Sequence, residues 1–331
     1  MRPEQAAGPR VTRRQLLEFG VGAFVIGALP AALWRRQVVA RRTMPVMGTF
    51  AELTVMHRNQ AAAQAALDGA IDILQRVERT MSRFRPDSDI GRANSGAARD
   101  GVRIGRETAV VIAAALEWAE STGGRFDPAV GAMTELWDVG NRSIPPEIEA
   151  VRPMAARGFW RDVDITVGTG GGTVRFTDPG VRLDLGGIAK GHGVDLAVQH
   201  LREQGVTNAI VNVGGDLHAM GGSPDGGPWR VGVRSPHDAD AIATTLLVTD
   251  AAVCTSGDYA QSFEWQGKSF HHLIDPQTGA PRLSVQHSVT VQASNCRDAD
   301  AAATAAFGMS EDEAARLVNR RLTEAVVTSL G

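Results

Sequence analysis

The run Arg182-Leu183-Asp184-Leu185-Gly186-Gly187-Ile188-Ala189-Lys190-Gly191 constrains the fold more than any other stretch. Its apolar alternation stops at a Gly-Gly pair, which predicts a short strand turning directly into a helix. Paired glycines remove side chains and let a ligand reach the backbone. A helix opening there aims free N–H groups and the positive end of its dipole at one spot. That spot suits a phosphate, and Lys190 in the first turn adds a mobile cation. Asp184, just before the turn, is placed to bind a sugar hydroxyl, an amide or a ring nitrogen. The spacing is neither that of a P-loop nor GxGxxG. Taken alone, the stretch reads equally well as a tight turn carrying a surface lysine.

Elsewhere strands and helices mix without a regular βαβ rhythm. The fold class expected is α+β, mixed helices with short, mostly antiparallel strands. Apolar residues at helical spacing predict helices over 61–80, 107–121, 189–204 and 298–307. Gly69 interrupts the first of these, and Gly123-Gly124 ends the second. Strands are expected over 49–56, 162–166, 173–177, 181–185, 209–213, 229–234, 243–248 and 288–291. The glycine run 168–172 reads as a hairpin tip and Asp178-Pro179-Gly180 as a turn. Ser310 and Glu313 form a capping box for a last helix.

The 331 residues suffice for one large domain or two small ones. Net charge is −3 and no basic stripe with interleaved aromatics occurs, which argues against nucleic-acid binding. The two cysteines, Cys254 and Cys296, lie in no C-x-x-C motif, so a zinc or redox motif is not indicated. Buried free thiols are the plain reading; an oxidising compartment would allow a disulfide. Residues 1–42 read as a leader and 43–331 as the folded part. Thr12-Arg13-Arg14-Gln15-Leu16-Leu17 matches a twin-arginine signal. The apolar run 19–33 that follows is shorter than the roughly twenty residues of a membrane span. The expectation is a periplasmic protein, or one on the outer face of the inner membrane, exported by the twin-arginine machinery.

Two later stretches carry chemistry. Asp300 and Thr304 are four apart, which places a carboxylate and a hydroxyl on one helix face. With a backbone carbonyl they make an all-oxygen set suited to Mg²⁺ rather than zinc. A solvated Asp and a back-bonding Thr are the alternative. His272 lies close to Asp275-Pro276, a rigid turn opener, and a histidine takes a proton near neutral pH.

Together these stretches resemble the FAD:protein FMN transferases, the ApbE-like family. The resemblance extends in order through Met47-Gly48-Thr49-Phe50, residues 81–90 from Met81 to Ile90, Gly124-Arg125-Phe126-Asp127-Pro128, Asn212-Val213-Gly214-Gly215-Asp216 and Thr255-Ser256-Gly257, and covers about residues 44 to 325. It implies transfer of FMN from FAD to a threonine hydroxyl of an acceptor flavoprotein, with release of AMP. It implies that a Gly187 carbonyl, Asp300 and Thr304 hold Mg²⁺ beside the FAD pyrophosphate. It implies that His272 contacts FAD and is a candidate base, aided by Asp275. Met47 and Phe84 are expected against flat rings, Arg125, Phe126 and Asp127 in a loop at the isoalloxazine or adenosine, and Asp184 and Lys190 at the cofactor. The acceptor implied is an exported flavoprotein or the outward domain of a membrane redox complex. A Mg²⁺-dependent FAD pyrophosphatase and a non-catalytic flavin-delivery protein are the other readings.

Overall fold

A computed structural model describes residues 38–238 and 240–331. The twin-arginine run and the apolar run after it lie outside the described residues. Along the chain run β1 (Val38–Val46), β2 (Thr49–His57), α1 (Gln60–Met81), α2 (Asp89–Gly96), β3 (Val102–Ile104), α3 (Arg106–Ser121), α4 (Gly131–Trp137) and α5 (Ile148–Val151). Then follow β4 (Val163–Gly168), β5 (Gly171–Phe176), α6 (Ala189–Glu203), β6 (Asn208–Val213), β7 (Asp216–Met220), β8 (Trp229–Arg234) and β9 (Ile242–Val248). The last elements are β10 (Ala251–Gly257), β11 (Ser262–Trp265), β12 (Lys268–His271), β13 (Ser288–Ala293), α7 (Cys296–Ala306), α8 (Glu311–Val318) and β14 (Val326–Leu330).

Seven strands form one sheet in the order β1-β2-β6-β7-β10-β13-β14. Every neighbouring pair is antiparallel. The fold is therefore α+β, as expected. Side-chain alternation gives the sheet two buried faces. Ala209, Val211 and Val213 of β6 join the main core beneath α1, α6 and α7. Ile210 joins a smaller core of Leu217, Ala219 and Val253 that the β8–β9 ribbon closes with Trp229, Val231 and Val233. β3, β5 and β4 make a separate small sheet under α3, with the Gly168–Gly171 hairpin tip where the glycine run predicts it.

The helix period is borne out in α1. Ala63, Ala66, Leu67, Ala70, Leu74, Val77 and Met81 are buried, and Asn59 caps the first turn by accepting from the Ala62 N–H. Gly69 has a packing reason: a Cβ there would lie 2.3 Å from His200 Nε2 of α6. Glu313 accepts from the Ser310 backbone N–H at 3.2 Å, so the capping box forms.

Two expectations are corrected. No strand runs over 181–185. A single parallel bridge joins Val130 to Arg182, and the Asn94 amide takes the place of a partner strand. It accepts from Leu183 N–H at 2.7 Å and donates to Leu183 O at 2.9 Å. The folded part also begins before residue 43, because Val38–Arg42 pair with β2 in β1. That strand is an edge rich in exposed Arg, so it carries little apolar alternation to read.

Candidate active site

The Gly-Gly turn opens α6 as predicted, and two glycines decide how close α7 comes to it. A Cβ on Gly191 would sit 2.3 Å from the Cys296 carbonyl oxygen, and one on Gly187 would sit 2.9 Å from Thr304 Oγ1. Only glycine permits this approach at either position. It delivers Asp300 to the first turn of α6, where its Oδ2 accepts from the Gly191 N–H at 3.1 Å. Lys190 reaches between two carboxylates, at 2.5 Å from Asp216 Oδ2 and 3.4 Å from Asp300 Oδ1, and also donates to Gly186 O at 3.3 Å.

Both carboxylates are almost fully buried. Burial and the neighbouring Asp216 charge push the Asp300 carboxyl up, and Lys190 pulls it back. The two carboxylates hold the Lys190 ammonium charged against burial, which would neutralise it. One ammonium facing two buried carboxylates leaves a negative surplus in a low-dielectric place. Gly187, Asp300 and Thr304 do converge there, with Ser256 Oγ 3.4 Å from Thr304 Oγ1. Asp300 Oδ2 also lies 3.5 Å from Lys190 Nζ, whereas Oδ1 keeps a lone pair beyond its Lys190 contact. An all-oxygen donor set beside surplus negative charge fits a hard divalent cation.

Above the turn, Asp184 Oδ2 accepts from Arg83 Nε and from Thr134 Oγ1, both at 2.9 Å, and Oδ1 accepts from the Gly186 N–H at 2.9 Å. The Arg83 guanidinium lies 4.1 Å from the Phe84 ring centroid. Phe84 is 76% exposed, which rules out core packing and leaves a ring face open to a planar ligand. Met47 holds the β1–β2 turn, its N–H bonded to Glu78 Oε1 at 2.9 Å and its methyl against α6 at Gly193.

The 125–127 loop divides its side chains. Phe126 is buried under Gly187. Asp127 accepts from the Ala129 N–H at 2.7 Å, and burial pushes its carboxyl up to about 6. Arg125 turns to the C-terminus of α7, donating to Ala305 O at 3.1 Å and Phe307 O at 3.2 Å. Arg282 joins it there, buried, with Phe307 O at 2.9 Å and Arg125 O at 3.1 Å. Two guanidiniums at this end complement the helix dipole and fix the helix that carries Thr304.

His272 follows β12 and is half-buried. Its Nδ1 lies 3.3 Å from Gln261 O. A carbonyl only accepts, so Nδ1 carries the hydrogen and Nε2 is left with a lone pair. Burial lowers its pKa to about 4; the Gln261 bond raises it, His271 and Lys190 lower it further, and Asp184 raises it. Asp275 instead spends Oδ1 on the Gln277 N–H at 2.9 Å, an Asx turn. Its charge acts on Arg125 and Arg282. His271 is structural, its Nε2 donating to Arg282 O at 3.0 Å and its Nδ1 accepting from Leu273 N–H.

Arg83, Asp216, Ser256 and Arg282 were not singled out from the sequence. The first three lie inside stretches that carried the resemblance, which was their signal. Arg282 had none, because a buried cation is visible only from the carbonyls it meets.

Comparison with known proteins identifies the family. Residues 47–327 match the ApbE family. The FAD:protein FMN transferase of Treponema pallidum is 35% identical over 287 residues, 82% of this chain and 79% of its own length. That of Vibrio cholerae is 32% identical over 271 residues, covering 81% and 80%. Among solved structures, the flavin transferase ApbE from Vibrio cholerae superposes with a TM-score of 0.76 at 27% identity over 88% of this chain and 93% of that one. The ApbE protein from Thermotoga maritima gives 0.78 at 27% identity over 88% and 97%. A site built on the Gly-Gly turn, within a match that spans most of the folded chain, makes this protein a member of the ApbE family of flavin transferases.

Proposed function

We propose that this enzyme transfers FMN from FAD to a threonine hydroxyl of an acceptor flavoprotein and releases AMP. The observation that carries the reading is Lys190 held between Asp216 and Asp300 beneath the Gly186-Gly187 turn. The pyrophosphate is proposed to lie at that turn, beside the Lys190 ammonium. Gly187 O, Asp300 and Thr304 are the groups to hold Mg²⁺, which supplies neutralisation of phosphate charge when bound. Phe84 offers its exposed face to a ring, and Asp184 orients Arg83 beside it. The threonine oxygen attacks the phosphorus bonded to FMN, and the bond from that phosphorus to the AMP oxygen breaks. His272 Nε2 takes the threonine proton. Asp275 acts indirectly, by holding the turn that follows His272.

The acceptor is proposed to lie outside the cytoplasm, as an exported flavoprotein or the outward domain of a membrane redox complex. The twin-arginine run within the leader supports that placement. The deciding experiment incubates the purified chain with FAD, Mg²⁺ and a candidate acceptor, and weighs the acceptor by mass spectrometry. A gain of one FMN with stoichiometric AMP supports the reading. AMP and free FMN without labelling would establish a pyrophosphatase instead, and FAD binding with no turnover a delivery protein.

A further inference from the structure

Leu283 and Val285 are 93% and 80% exposed, the two most exposed large apolar side chains among the described residues. Single exposed aliphatics are ordinary on a protein surface. These two are two residues apart in the chain, in a segment tied to the residue that follows the candidate base. Ile274 pairs antiparallel with Pro281, and the Arg282 N–H donates to Leu273 O at 2.9 Å. That rung is the last, because the His271 ring takes both Arg282 O and the Leu273 N–H; Leu283 therefore follows a residue bonded to the chain neighbour of His272. The other flank of His272 is already taken, since its N–H donates to Gln261 O at 3.1 Å. Among the described residues the backbone N–H groups of Leu283, Ser284 and Val285 have no partner. The stretch from Leu283 to Gln286 carries no charge and no proline to blunt it. Proteins ordinarily protect such an edge or use it.

We propose that Leu283–Val285 is the edge on which the acceptor polypeptide docks, and that it selects apolar residues beside the accepting threonine. This rests on the transferase reading, since only a transfer to protein requires a polypeptide at His272. A polypeptide is also the occupant whose chemistry fits. Its carbonyls satisfy the free N–H groups by strand addition, and its alternate side chains reach Leu283 and Val285. The FAD phosphates are addressed elsewhere, at Lys190 and the Gly-Gly turn.

The test uses a library of nonapeptides with a central threonine and random flanks, displayed on a carrier protein. It is incubated with FAD, Mg²⁺ and either the wild type or L283N/V285N, and covalent flavin is sorted by fluorescence and sequenced. The side chains are exposed, so the variant is expected to melt like the wild type; L283Q alone replaces it if the pair unfolds. The wild type is expected to enrich apolar residues at alternate positions from the threonine. The variant is expected to label at least tenfold more slowly, or to lose the preference, at unchanged FAD affinity. Labelling by the wild type without that preference, or equal labelling by the variant, overturns the docking edge and leaves the transferase reading standing. A fivefold loss of FAD affinity would place the edge in the flavin pocket, and a dimer lost in the variant would assign it to a second copy; either overturns the proposal. No labelling of any peptide by the wild type removes the transferase reading, and the docking edge with it.

Discussion

Gly191 and Cys296 touch so closely that a Cβ on the glycine would lie 2.3 Å from the cysteine's carbonyl oxygen. This contact seats the first turn of α7 on the first turn of α6, and so brings Asp300 to Lys190. Gly191→Ala is therefore expected to cost stability, about 1–3 kcal/mol for an overpacked contact between backbones. On the proposed reading it should also raise the Mg²⁺ concentration needed for half-maximal turnover. Denaturant unfolding measures the first and a Mg²⁺ titration of turnover the second. A variant of wild-type stability would show that the two helices part at no cost.

Asp300→Ala is expected to abolish transfer while the chain stays folded. On the proposed reading the substitution removes a Mg²⁺ donor that a modest excess of Mg²⁺ should not replace. It also leaves Lys190 paired with Asp216 alone, a one-to-one ion pair, so no orphaned charge is created. Circular dichroism checks the fold and AMP release the activity. A folded variant working near the wild-type rate would make the Asp300/Thr304 face mere helix surface.

Lys190→Met removes the shared cation and leaves Asp216 and Asp300 facing each other, both almost fully buried. Uncompensated buried charge of this kind costs about 3–5 kcal/mol. Adding Asp216→Asn should recover part of the loss. Urea melts of the single and double variants read the coupling, and strictly additive effects would contradict the shared pair.

His272→Ala is expected to slow transfer about a hundredfold or more at saturating FAD, in the range for a lost general base. The pH dependence carries a sign. The ring's pKa in the folded chain, about 4, lies below the ordinary 6.5. The neutral ring therefore persists well below pH 6, and the acid limb of kcat/KM should fall near pH 4 rather than 6.5. The same depression makes the unfolded chain bind the proton first. Stability from His272 is full above pH 6.5 and is lost as pH falls toward 4. His272→Ala should flatten stability over that window. A wild-type limb at 6.5 would show that the ring is not held neutral.

Cys254 and Cys296 are both buried, with their Sγ atoms 3.3 Å apart as free thiols. Burial pushes the Cys296 thiol up to about 12 and the Cys254 thiol up as well. Neither should react with iodoacetamide at pH 8 in the folded chain, and both should react in denaturant. Prompt alkylation of the native protein would mean that the α7–β10 contact opens readily.

The short helices α2, α4 and α5 were not legible in the sequence, whereas helices α1, α3, α6, α7 and α8, the Gly-Gly turn into α6, the hairpin tip at 168–171 and the capping box at Ser310 were. Each is set within a few residues by periodicity, glycine conformation or capping, which are local properties of the chain. The α+β class followed from the same local signals. What those elements meet was not legible. Lys190 and Asp300 are 110 residues apart, and the arrival of Asp216 depends on β7 lying beside β10 in the sheet. Arg125 was expected at the cofactor loop, yet its nearest acceptors are the carbonyls at the end of α7. The stretch 181–185 had the alternation of a strand, but whether a strand forms depends on a partner, and here Asn94 fills that place. Leu283 comes near the His272 segment only because Ile274 pairs with Pro281 and the Arg282 N–H bonds Leu273 O. The sequence determined most of the longer local pieces, through periodicity, glycine conformation and capping. Only the tertiary structure decided which charges share a site, because pairing register and helix-to-helix approach are sums over contacts distant in the chain.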